Sequence, residues 1–566
     1  MSILISYLDI VIFWPLNFLF FGTLFIGMFV PILGSRHIQN EIRRFIPKFT
    51  ISVIILNSVF FIRTVFIRFP GLVKIDDIIF WCFFVIILSL MAVIFFFARD
   101  RFVLYTNNRL EFSFLFIFFH LGSIIVIKIN NFGAIFLGLE RVTLVGYIII
   151  ISERKSRFSN YAGIQYFIIG SFPSAMLVLA FGLFYMQSGA AWFGDLELIF
   201  NTITSGFSSK VTDLIRTDYT TINVNNVFLY IETPNVTNLE QFFIYDSIVD
   251  FFFTTPKVVF TRTAITIIAF IALLFNFFFK MAAAPFHVWA PSVYRNSAII
   301  AVTFLSIFAK LTIFFLIIKV THSFIINYIN INFFIFLFVG LLSVITGIFM
   351  IFSEKNTKLF FVYSSIGHVG YILIGLSLNT RQSITGAVIY IIIYCISAFI
   401  RWFTLISIGR ETIIISSFSN LKKNNVELAL IFAFLMFSIS GIPPFAGFFI
   451  KLDIIAAVMN ASLFSVLYFI FITTIAVFFY YLRIIKIIYY DTTKIEQENT
   501  YITYDNHYKQ EYIYNNHINW IIIIIVRILT FYPIIIHKRF TVILIEIIST
   551  WFLFINIILK AYSSVG

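Results

Sequence analysis

Residues 438–455 read SISGIPPFAGFFIKLDII, and this stretch is a strong indication of a broken membrane helix. It places Gly441-Ile-Pro-Pro within an apolar run at about 427–459, and Lys451 follows the two prolines. A second stretch, FNFFFKMAAAPFHVWAPSVY at residues 275–294, combines Lys280 with Pro285 in a similar way. Proline interrupts helical hydrogen bonding, and a broken helix inside a membrane normally lines a water-filled cavity. Two breaks with an ionisable residue, about 170 residues apart, therefore predict a transporter with two repeated halves.

The composition extends this prediction to the whole chain. Of its 566 residues, 61% are hydrophobic and 11% are charged, whereas an ordinary globular protein carries about 25% charged residues. Apolar runs of about 20 residues, each long enough to cross a membrane, recur throughout. We therefore expect an all-α polytopic membrane protein with about 14 transmembrane helices, or 15 if residues 541–559 also span. The expected spans are roughly 8–33, 49–67, 77–98, 112–130, 132–152, 161–187, 257–285, 297–319, 331–353, 358–378, 383–408, 427–459 (broken), 461–487 and 517–536.

The basic residues of the loops predict the orientation of the chain. If residue 1 faces outward, the inward loops carry sixteen Lys and Arg residues and the outward loops carry five. Such an excess of positive charge marks the inner side of a membrane, so we expect the N-terminus on the outer side. The net charge of +13 follows from this topology, and no nucleic-acid partner is expected because the basic residues form no single patch.

The spans and the polar stretches between them divide the chain. Residues 188–256 are predicted to form an outward polar insertion, and residues 488–516 an inward polar loop. The expected divisions are N-terminal transmembrane helices at 1–131, a first repeated half at 132–285, a second half at 286–487, the inward loop at 488–516 and C-terminal transmembrane helices at 517–566.

Charged residues in the middle of apolar spans are the candidate functional residues. Glu140, Lys280, Lys310 and Lys451 are each flanked by apolar residues on both sides. Charge inside a membrane is costly and usually marks an ion or proton pathway. A set of three buried lysines and one glutamate favours proton transfer over sodium binding, because sodium prefers oxygen ligands.

Other basic residues admit a plainer interpretation. Lys319 and Arg483 lie at span edges, where a long side chain can extend to the lipid headgroups. Arg401 stands alone in its span, and contacts between helices explain it as well as a functional role does.

The two cysteines, Cys82 and Cys395, limit the redox chemistry of this chain. Two cysteines without a CxxC motif do not build an iron–sulfur cluster or a Cys-only metal site. No glycine-rich nucleotide-binding loop is present either. We therefore expect no cofactor and no metal on this chain.

Three segments resemble one family of proteins. Residues 280–294, KMAAAPFHVWAPSVY, are similar to the K-x-x-x-x-P-F-H-x-W-x-P-D-V-Y-E-G motif of the NADH dehydrogenase subunit 2 family, called subunit N in bacteria. Residues 356–371, NTKLFFVYSSIGHVGY, resemble its N-x-K-R-L-L-A-Y-S-S-I-x-H-x-G-Y segment, and residues 441–451 resemble its G-I-P-P-L-A-G-F-x-x-K segment. With FLGLE at residues 136–140, these segments appear in family order.

The resemblance implies an antiporter-like subunit in the membrane arm of respiratory complex I. Its fold would contain two inverted repeats with broken seventh and twelfth helices. Glu140 and Lys280 would form an ion pair whose strength changes during turnover, and protons would pass through Lys310 to Lys451. His287 and His368 also match the family, and each is either a structural histidine or a proton carrier.

The resemblance also implies where the chain works and with what. NADH, FMN, iron–sulfur clusters and ubiquinone would be bound by other subunits of the complex. Expected partners are the antiporter-like subunit 4, subunits 4L and 6, supernumerary subunits and membrane lipids such as cardiolipin. A composition typical of AT-rich codons, without an import signal, predicts an organelle-encoded protein, although an AT-rich bacterium would have the same composition. With the resemblance, it implies the mitochondrial inner membrane, with the N-terminus in the intermembrane space. A non-pumping structural subunit and a cation/proton antiporter are the alternative functions.

Overall fold

The structure, a computed structural model, covers the central part of the chain. It describes residues 131–152, 156–189, 265–408, 414–424, 426–443 and 445–490, with short pieces at 115, 118–123, 125–126 and 191. The predicted spans 8–33, 49–67, 77–98, 517–536 and 541–559 lie outside the described residues, as do nearly all of the two polar insertions. Within the described ranges the chain is helical and contains no strand, and one isolated bridge pairs Asn356 with Ile414.

The helices begin and end close to the predicted spans. In chain order they are α1 (Phe132–Ile151), α2 (Arg157–Ser188), α3 (Ile265–Met281), α4 (Trp289–Asn296), α5 (Ile299–Phe304), a π-helix (Leu305–Ala309), α6 (Lys310–Ser353), α7 (Thr357–Ser377), α8 (Arg381–Ser407), a 3-10 helix (Ile415–Asn420), α9 (Leu421–Asn424), α10 (Val426–Ser440), α11 (Ala446–Asn460) and α12 (Phe464–Tyr489).

Several of these helices are suited to a membrane. In the part of the chain that the structure describes, seven helical stretches are long and apolar enough to cross one: Phe132–Ile151, Arg157–Ser188, Ile299–Thr321, Phe333–Ser353, Thr357–Ser377, Gln382–Leu405 and Phe464–Tyr489. The shorter apolar helices α3 and α10 directly precede the two predicted breaks. The predicted helical membrane-protein fold is thus confirmed.

The predicted separate spans at 297–319 and 331–353 are confirmed by the apolar stretches Ile299–Thr321 and Phe333–Ser353. Helix α6 nevertheless continues between them, from Lys310 to Ser353. Asn327, Asn330 and Asn332 lower the hydropathy between the two spans, but this stretch contains no glycine or proline. Polarity ends an apolar segment, whereas proline is the residue that most strongly stops a helix.

The chain folds into two compact units. Unit 1 comprises Met1–Ala282 and Phe308–Asn332, and unit 2 comprises Ala283–Ile307 and Phe333–Gly566. In unit 1, α1 packs on α2 through Phe132, whose ring stacks on that of Phe181 with centroids 4.7 Å apart. The side-chain amide of Asn276 on α3 donates a hydrogen bond to the carbonyl of Pro173 inside α2. Unit 1 is thus fastened by aromatic packing and by a polar contact between helices.

In unit 2, glycines bring the backbones of α6 and α7 into contact. A Cβ added at Gly347 would lie 2.9 Å from the Cα of Gly367. One added at Gly340 would lie 3.0 Å from the carbonyl oxygen of Gly370. Small residues permit this close approach between helices in a membrane. The contact holds α7, which carries His368, against α6.

Candidate functional site

The first break follows Lys280. Helix α3 ends at Met281, Ala282 adopts a left-handed conformation with φ of 57°, and turns continue to α4. Pro285 explains the break because proline has no N–H group and disfavours helical geometry in the residue before it. The N–H of Ala284 is satisfied outside the helix, by the hydroxyl of Ser343 at 2.9 Å. The sequence correctly predicts an interruption here.

Glu140 and Lys280 lie together in unit 1. Lys280 Nζ is 3.9 Å from Glu140 Oε1, and the side chains are 6% and 28% exposed, respectively. The hydroxyl of Thr143, one turn after Glu140, donates to the backbone carbonyl of Glu140 at 2.9 Å and lies 3.4 Å from its Oε2. Neither Glu140 Oε1 nor Lys280 Nζ has a hydrogen-bond partner among the described residues. The pair is therefore an electrostatic contact without a direct hydrogen bond, an arrangement that small movements can strengthen or weaken.

Two further lysines of unit 1 are buried on α6. Lys310, which directly follows the π-helix, is 1% exposed. Lys319 is 9% exposed, and its ammonium group donates to the backbone carbonyl of Val126 at 3.2 Å. The interpretation of Lys319 as a side chain that extends to the lipid headgroups is therefore wrong. Its charge is satisfied by a carbonyl of a neighbouring helical segment, which the sequence does not reveal.

The second break lies in unit 2. Helix α10 ends at Ser440, and Gly441 adopts φ of 86°, a conformation that glycine reaches without steric cost. Helix α11 begins at Ala446 and immediately passes close to α10, since a Cβ at Gly447 would lie 1.7 Å from the carbonyl oxygen of Ser438. The glycines of GIPPFAG thus permit both the turn and the contact of the two half-helices.

Lys451 on α11 points back at this break. Its Nζ donates to the carbonyl of Ser440, the last residue of α10, at 2.8 Å, and lies 5.7 Å from the centroid of the Tyr371 ring. A cation at the carboxyl end of a helix is stabilised by the unpaired carbonyls there. The sequence alone predicts that water satisfies the carbonyls freed by the prolines, whereas Lys451 satisfies at least one of them directly.

A small cavity adjoins Lys451 in unit 2. His368 Nδ1 and the Tyr390 hydroxyl are 2.8 Å apart at this cavity. Its volume of about 10 Å³ is close to the minimum that holds one water molecule. Its lining residues are His368, Tyr390, Ile393, Tyr394, Ser397, Ser438, Ile439, Gly447, Ile450 and Lys451. Lys451 and His368 therefore line the same small cavity.

His287 lies in the turns between α3 and α4 and is half-buried. It belongs to unit 2, whereas Glu140, Lys280 and Lys310 belong to unit 1. The structure thus brings Glu140 to Lys280, and His368 to the cavity of Lys451. The order of the four charges across the two units stays a prediction.

Sequence reasoning missed part of the polar environment of Lys451. Tyr390, Tyr394, Ser397 and Arg401 occupy positions i, i+4, i+7 and i+11 of α8, so they share one face of the helix. A polar stripe on an otherwise apolar span was the signal that could have identified them. Arg401, for which the sequence left packing and a functional role open, belongs to this stripe.

Lys358, the first residue of the predicted span 358–378, is a further buried basic residue of unit 2. It lies in the first turn of α7, is 5% exposed, and donates to the carbonyl of Ser297 at 3.1 Å. Ser297 is the C-cap residue of α4. Lys358 therefore joins α7 to the end of the helix that follows the first break.

Known proteins resemble the chain in sequence and in fold. The family described as NADH:quinone oxidoreductase/Mrp antiporter, TM matches residues 130–217 and 224–477. The NADH-ubiquinone oxidoreductase chain 2 of Oenothera berteroana is 29% identical over 440 residues, 76% of each chain. The NADH-quinone oxidoreductase subunit N of Rhodospirillum rubrum is 27% identical over 388 residues, 68% of each chain. A chain of respiratory complex I from Thermus thermophilus shares the fold, with a TM-score of 0.62, 18% identity and coverage of 92% of this chain and 96% of the other.

Proposed function

Because the chain belongs to the NADH:quinone oxidoreductase/Mrp antiporter transmembrane family, we propose that it is a proton-translocating subunit of the membrane arm of respiratory complex I. Relatives named subunit N and chain 2 of NADH oxidoreductases support this type of subunit. As such it takes part in an NADH:ubiquinone reductase, whose NADH, FMN, iron–sulfur clusters and ubiquinone lie on other subunits. The energy of the redox reaction then reaches this chain through its neighbours.

The observation that carries the proposal is the Glu140–Lys280 ion pair. An ion pair without a direct hydrogen bond responds to small displacements, because its energy depends on distance and on the local dielectric. When the carboxylate moves, the proton affinity of the Lys280 ammonium changes, and a proton is taken up or released. A movement driven by a neighbouring subunit is thereby converted into proton transfer.

The proposed route continues through Lys310 to Lys451. Both are almost completely buried, where an ionisable group in a membrane protein is usually functional. His368 joins the route at Lys451 because both residues line the same cavity. His287 lies on the turns of the first break, and its part in transfer remains a prediction.

The proposed setting is the mitochondrial inner membrane, with the N-terminus in the intermembrane space. Plant relatives named chain 2 of NADH-ubiquinone oxidoreductase favour a mitochondrial origin. The proposed neighbours are the antiporter-like subunit 4, subunits 4L and 6, supernumerary subunits, and lipids that include cardiolipin. Apolar side chains exposed along α2, such as Phe158, Ile168 and Met186, are suited to such neighbours and to lipid.

Mutation of the ion pair tests the proposal. Glu140→Gln and Lys280→Ala are introduced into the complex, which is purified and reconstituted into vesicles, and NADH oxidation and proton uptake are measured together. We expect an assembled complex with strongly reduced coupled turnover and reduced proton uptake. Glu427→Gln, at an exposed carboxylate on the first turn of α10, serves as the matched control.

Two results would support other functions. Normal turnover and normal proton pumping in both variants would indicate a structural subunit of the membrane arm. Proton movement that requires sodium or potassium in the parent complex would indicate a cation/proton antiporter.

A further inference from the structure

Several basic residues mark one end of unit 2. There the N–H of Ile415 donates to the carbonyl of Lys355 at 2.9 Å, just before α7 begins. Lys422 Nζ lies 5.2 Å from the centroid of the Tyr489 ring, at the end of α12. We call this end, with Lys355, Lys422 and the neighbouring exposed Lys423, the basic end. An excess of positive charge assigns the basic end to the inner side of the membrane.

Arg401 is a buried cation within unit 2. It is 1% exposed, its Nη1 donates to the hydroxyl of Ser364 at 3.4 Å, and Ser364 is hydrogen-bonded to the hydroxyl of Tyr481. Its guanidinium carbon lies 5.4 Å from the ring centroid of Phe361 and 5.6 Å from that of Tyr394. Among the described residues it has no ion-pair partner, and its Nε has no hydrogen bond. The interior of unit 2 therefore holds a charged side chain whose contacts are hydroxyl groups and the faces of aromatic rings.

Arg401 lies between the basic end and Lys451. Ser364, its hydrogen-bond partner, is about two turns into α7, which is ~10 Å from the basic end. The carbonyl that Lys451 contacts closes α10, about four turns and ~20 Å from the same end. The ring of Tyr394, which the guanidinium contacts, lies 5.6 Å from the ring of His368. Tyr394 and His368 both line the cavity of Lys451, so Arg401 is separated from that cavity by one aromatic ring.

We infer that Arg401 is an electrostatic barrier that closes the basic-end side of the Lys451 cavity to protons. Arginine carries a fixed positive charge. A fixed cation beside the cavity repels a proton that enters from the basic end, as arginine does in channels that exclude protons. Because Arg401 blocks the return to the inner side, a proton on Lys451 leaves toward the outer side or along the row of buried charges. The inference rests on the proposed proton-translocating function, for which it supplies a direction.

A leak measurement tests this role without NADH. The purified complex is reconstituted into liposomes, a potassium diffusion potential is applied with valinomycin, and a pH-sensitive dye inside the liposomes records proton entry. Arg401→Met removes the charge and keeps an apolar side chain of similar length. A unit charge at ~10 Å in a medium of effective dielectric ~20 alters a barrier enough for about a tenfold change in rate. We expect proton leak to rise by about that factor in Arg401→Met, and to fall again when Lys451→Met is added.

Two variants separate charge from packing. Arg401→Lys keeps the cation and should leak like the parent complex. Thr404→Val, which alters a buried hydroxyl on the same helix outside the cavity, should also leak like the parent. If Arg401→Met does not assemble, Arg401→Gln repeats the test with an uncharged hydrogen-bonding group.

Equal leak in the parent and in the assembled uncharged variant would overturn the inference. So would an increase of the same size in Arg401→Lys, since it would show that shape rather than charge matters. Because the leak is driven by potassium and not by NADH, its outcome is independent of the Glu140 and Lys280 experiment. Failure of the pumping proposal and failure of the barrier are thus distinguishable.

Discussion

Each of the two broken helices carries a buried lysine, and the two lysines are paired with different chemical groups. At the first break, Lys280 precedes the interruption and is matched by a carboxylate, that of Glu140 at 3.9 Å. At the second break, Lys451 follows the interruption and is matched by the backbone carbonyl of Ser440 at 2.8 Å. The first lysine thus depends on another side chain, and the second depends on the break itself.

This difference teaches how each lysine is coupled to its surroundings. A carboxylate can move away from Lys280 while the backbone of α3 stays in place. The partner of Lys451 is a carbonyl group of the interrupted helix. Loss of the proton from Lys451 therefore weakens the contact that stabilises the break. We therefore expect Lys280 to be controlled by side-chain movement and Lys451 by movement of the backbone around Gly441.

Among the variants that test this comparison, Glu140→Gln should cause the largest loss of stability. It leaves the Lys280 ammonium, 6% exposed, without its carboxylate, and breaking a buried pair in this way costs about 3 kcal/mol or more. Lys280→Met should cost less, because the remaining Glu140 is 28% exposed. Thermal melting of the solubilised complex measures both losses. Glu140→Gln combined with Lys280→Met should recover most of the stability, and strictly additive losses would contradict the pair.

A backbone clash tests the second break. Gly447→Ala would place its Cβ 1.7 Å from the carbonyl oxygen of Ser438, so α10 and α11 must separate at a cost of about 2–3 kcal/mol. The measurement is the amount of assembled complex and its melting temperature. Gly367→Ala is the control, because a Cβ there meets nothing within 4 Å. Unchanged stability in Gly447→Ala would show that the two half-helices do not need this approach.

A smaller loss of stability is expected from Lys451→Met. Unlike Glu140→Gln, this change leaves no unpaired charge, and only the Ser440 carbonyl loses a donor, which costs about 1–2 kcal/mol. Proton pumping should nevertheless be strongly reduced, since the proposed route loses a carrier. Melting and proton uptake are measured on the same preparation. A stability loss as large as that of Glu140→Gln would erase the distinction between the two lysines.

The smallest effects should come from the residues with positive φ. Gly441→Ala should destabilise by about 1 kcal/mol because an L-residue is strained at φ of 86°. Ala282→Gly at the first break should change stability by less than about 0.5 kcal/mol, since relief of strain is offset by the greater entropy of the unfolded chain. The melting temperatures of the two variants measure these changes in stability. A larger loss of stability in Ala282→Gly than in Gly441→Ala would contradict the expectation.

Much of this architecture could be predicted from the sequence. Hydropathy placed α1 and α7 within a few residues of their bounds, and proline with glycine located both breaks. Hydropathy also separates the spans Ile299–Thr321 and Phe333–Ser353 correctly, but it does not report that the residues between them are helical, because polarity and helix termination have different causes. Continuity of a helix depends on backbone geometry, which hydropathy does not report.

The site was predicted less completely, for a physical reason. Motif positions identified Glu140, Lys280 and Lys451 because a charge in an apolar span is visible in the sequence. The partner of Lys451 is a carbonyl group that every residue carries, so no residue type could indicate it. Lys319 was misinterpreted for the same reason, because its partner is the carbonyl of Val126.

The glycine contact between α6 and α7 has a mechanical consequence. A side chain at Gly347 would meet the backbone of α7, since its Cβ would lie 2.8 Å from the nitrogen of Gly367 and 3.0 Å from the carbonyl oxygen of Tyr363. Such close backbone packing resists shear, the small sliding of packed helices, along this contact. We therefore expect α6 and α7 to move together, and the turn at Gly441, beside Lys451, to be a position where the backbone of unit 2 bends.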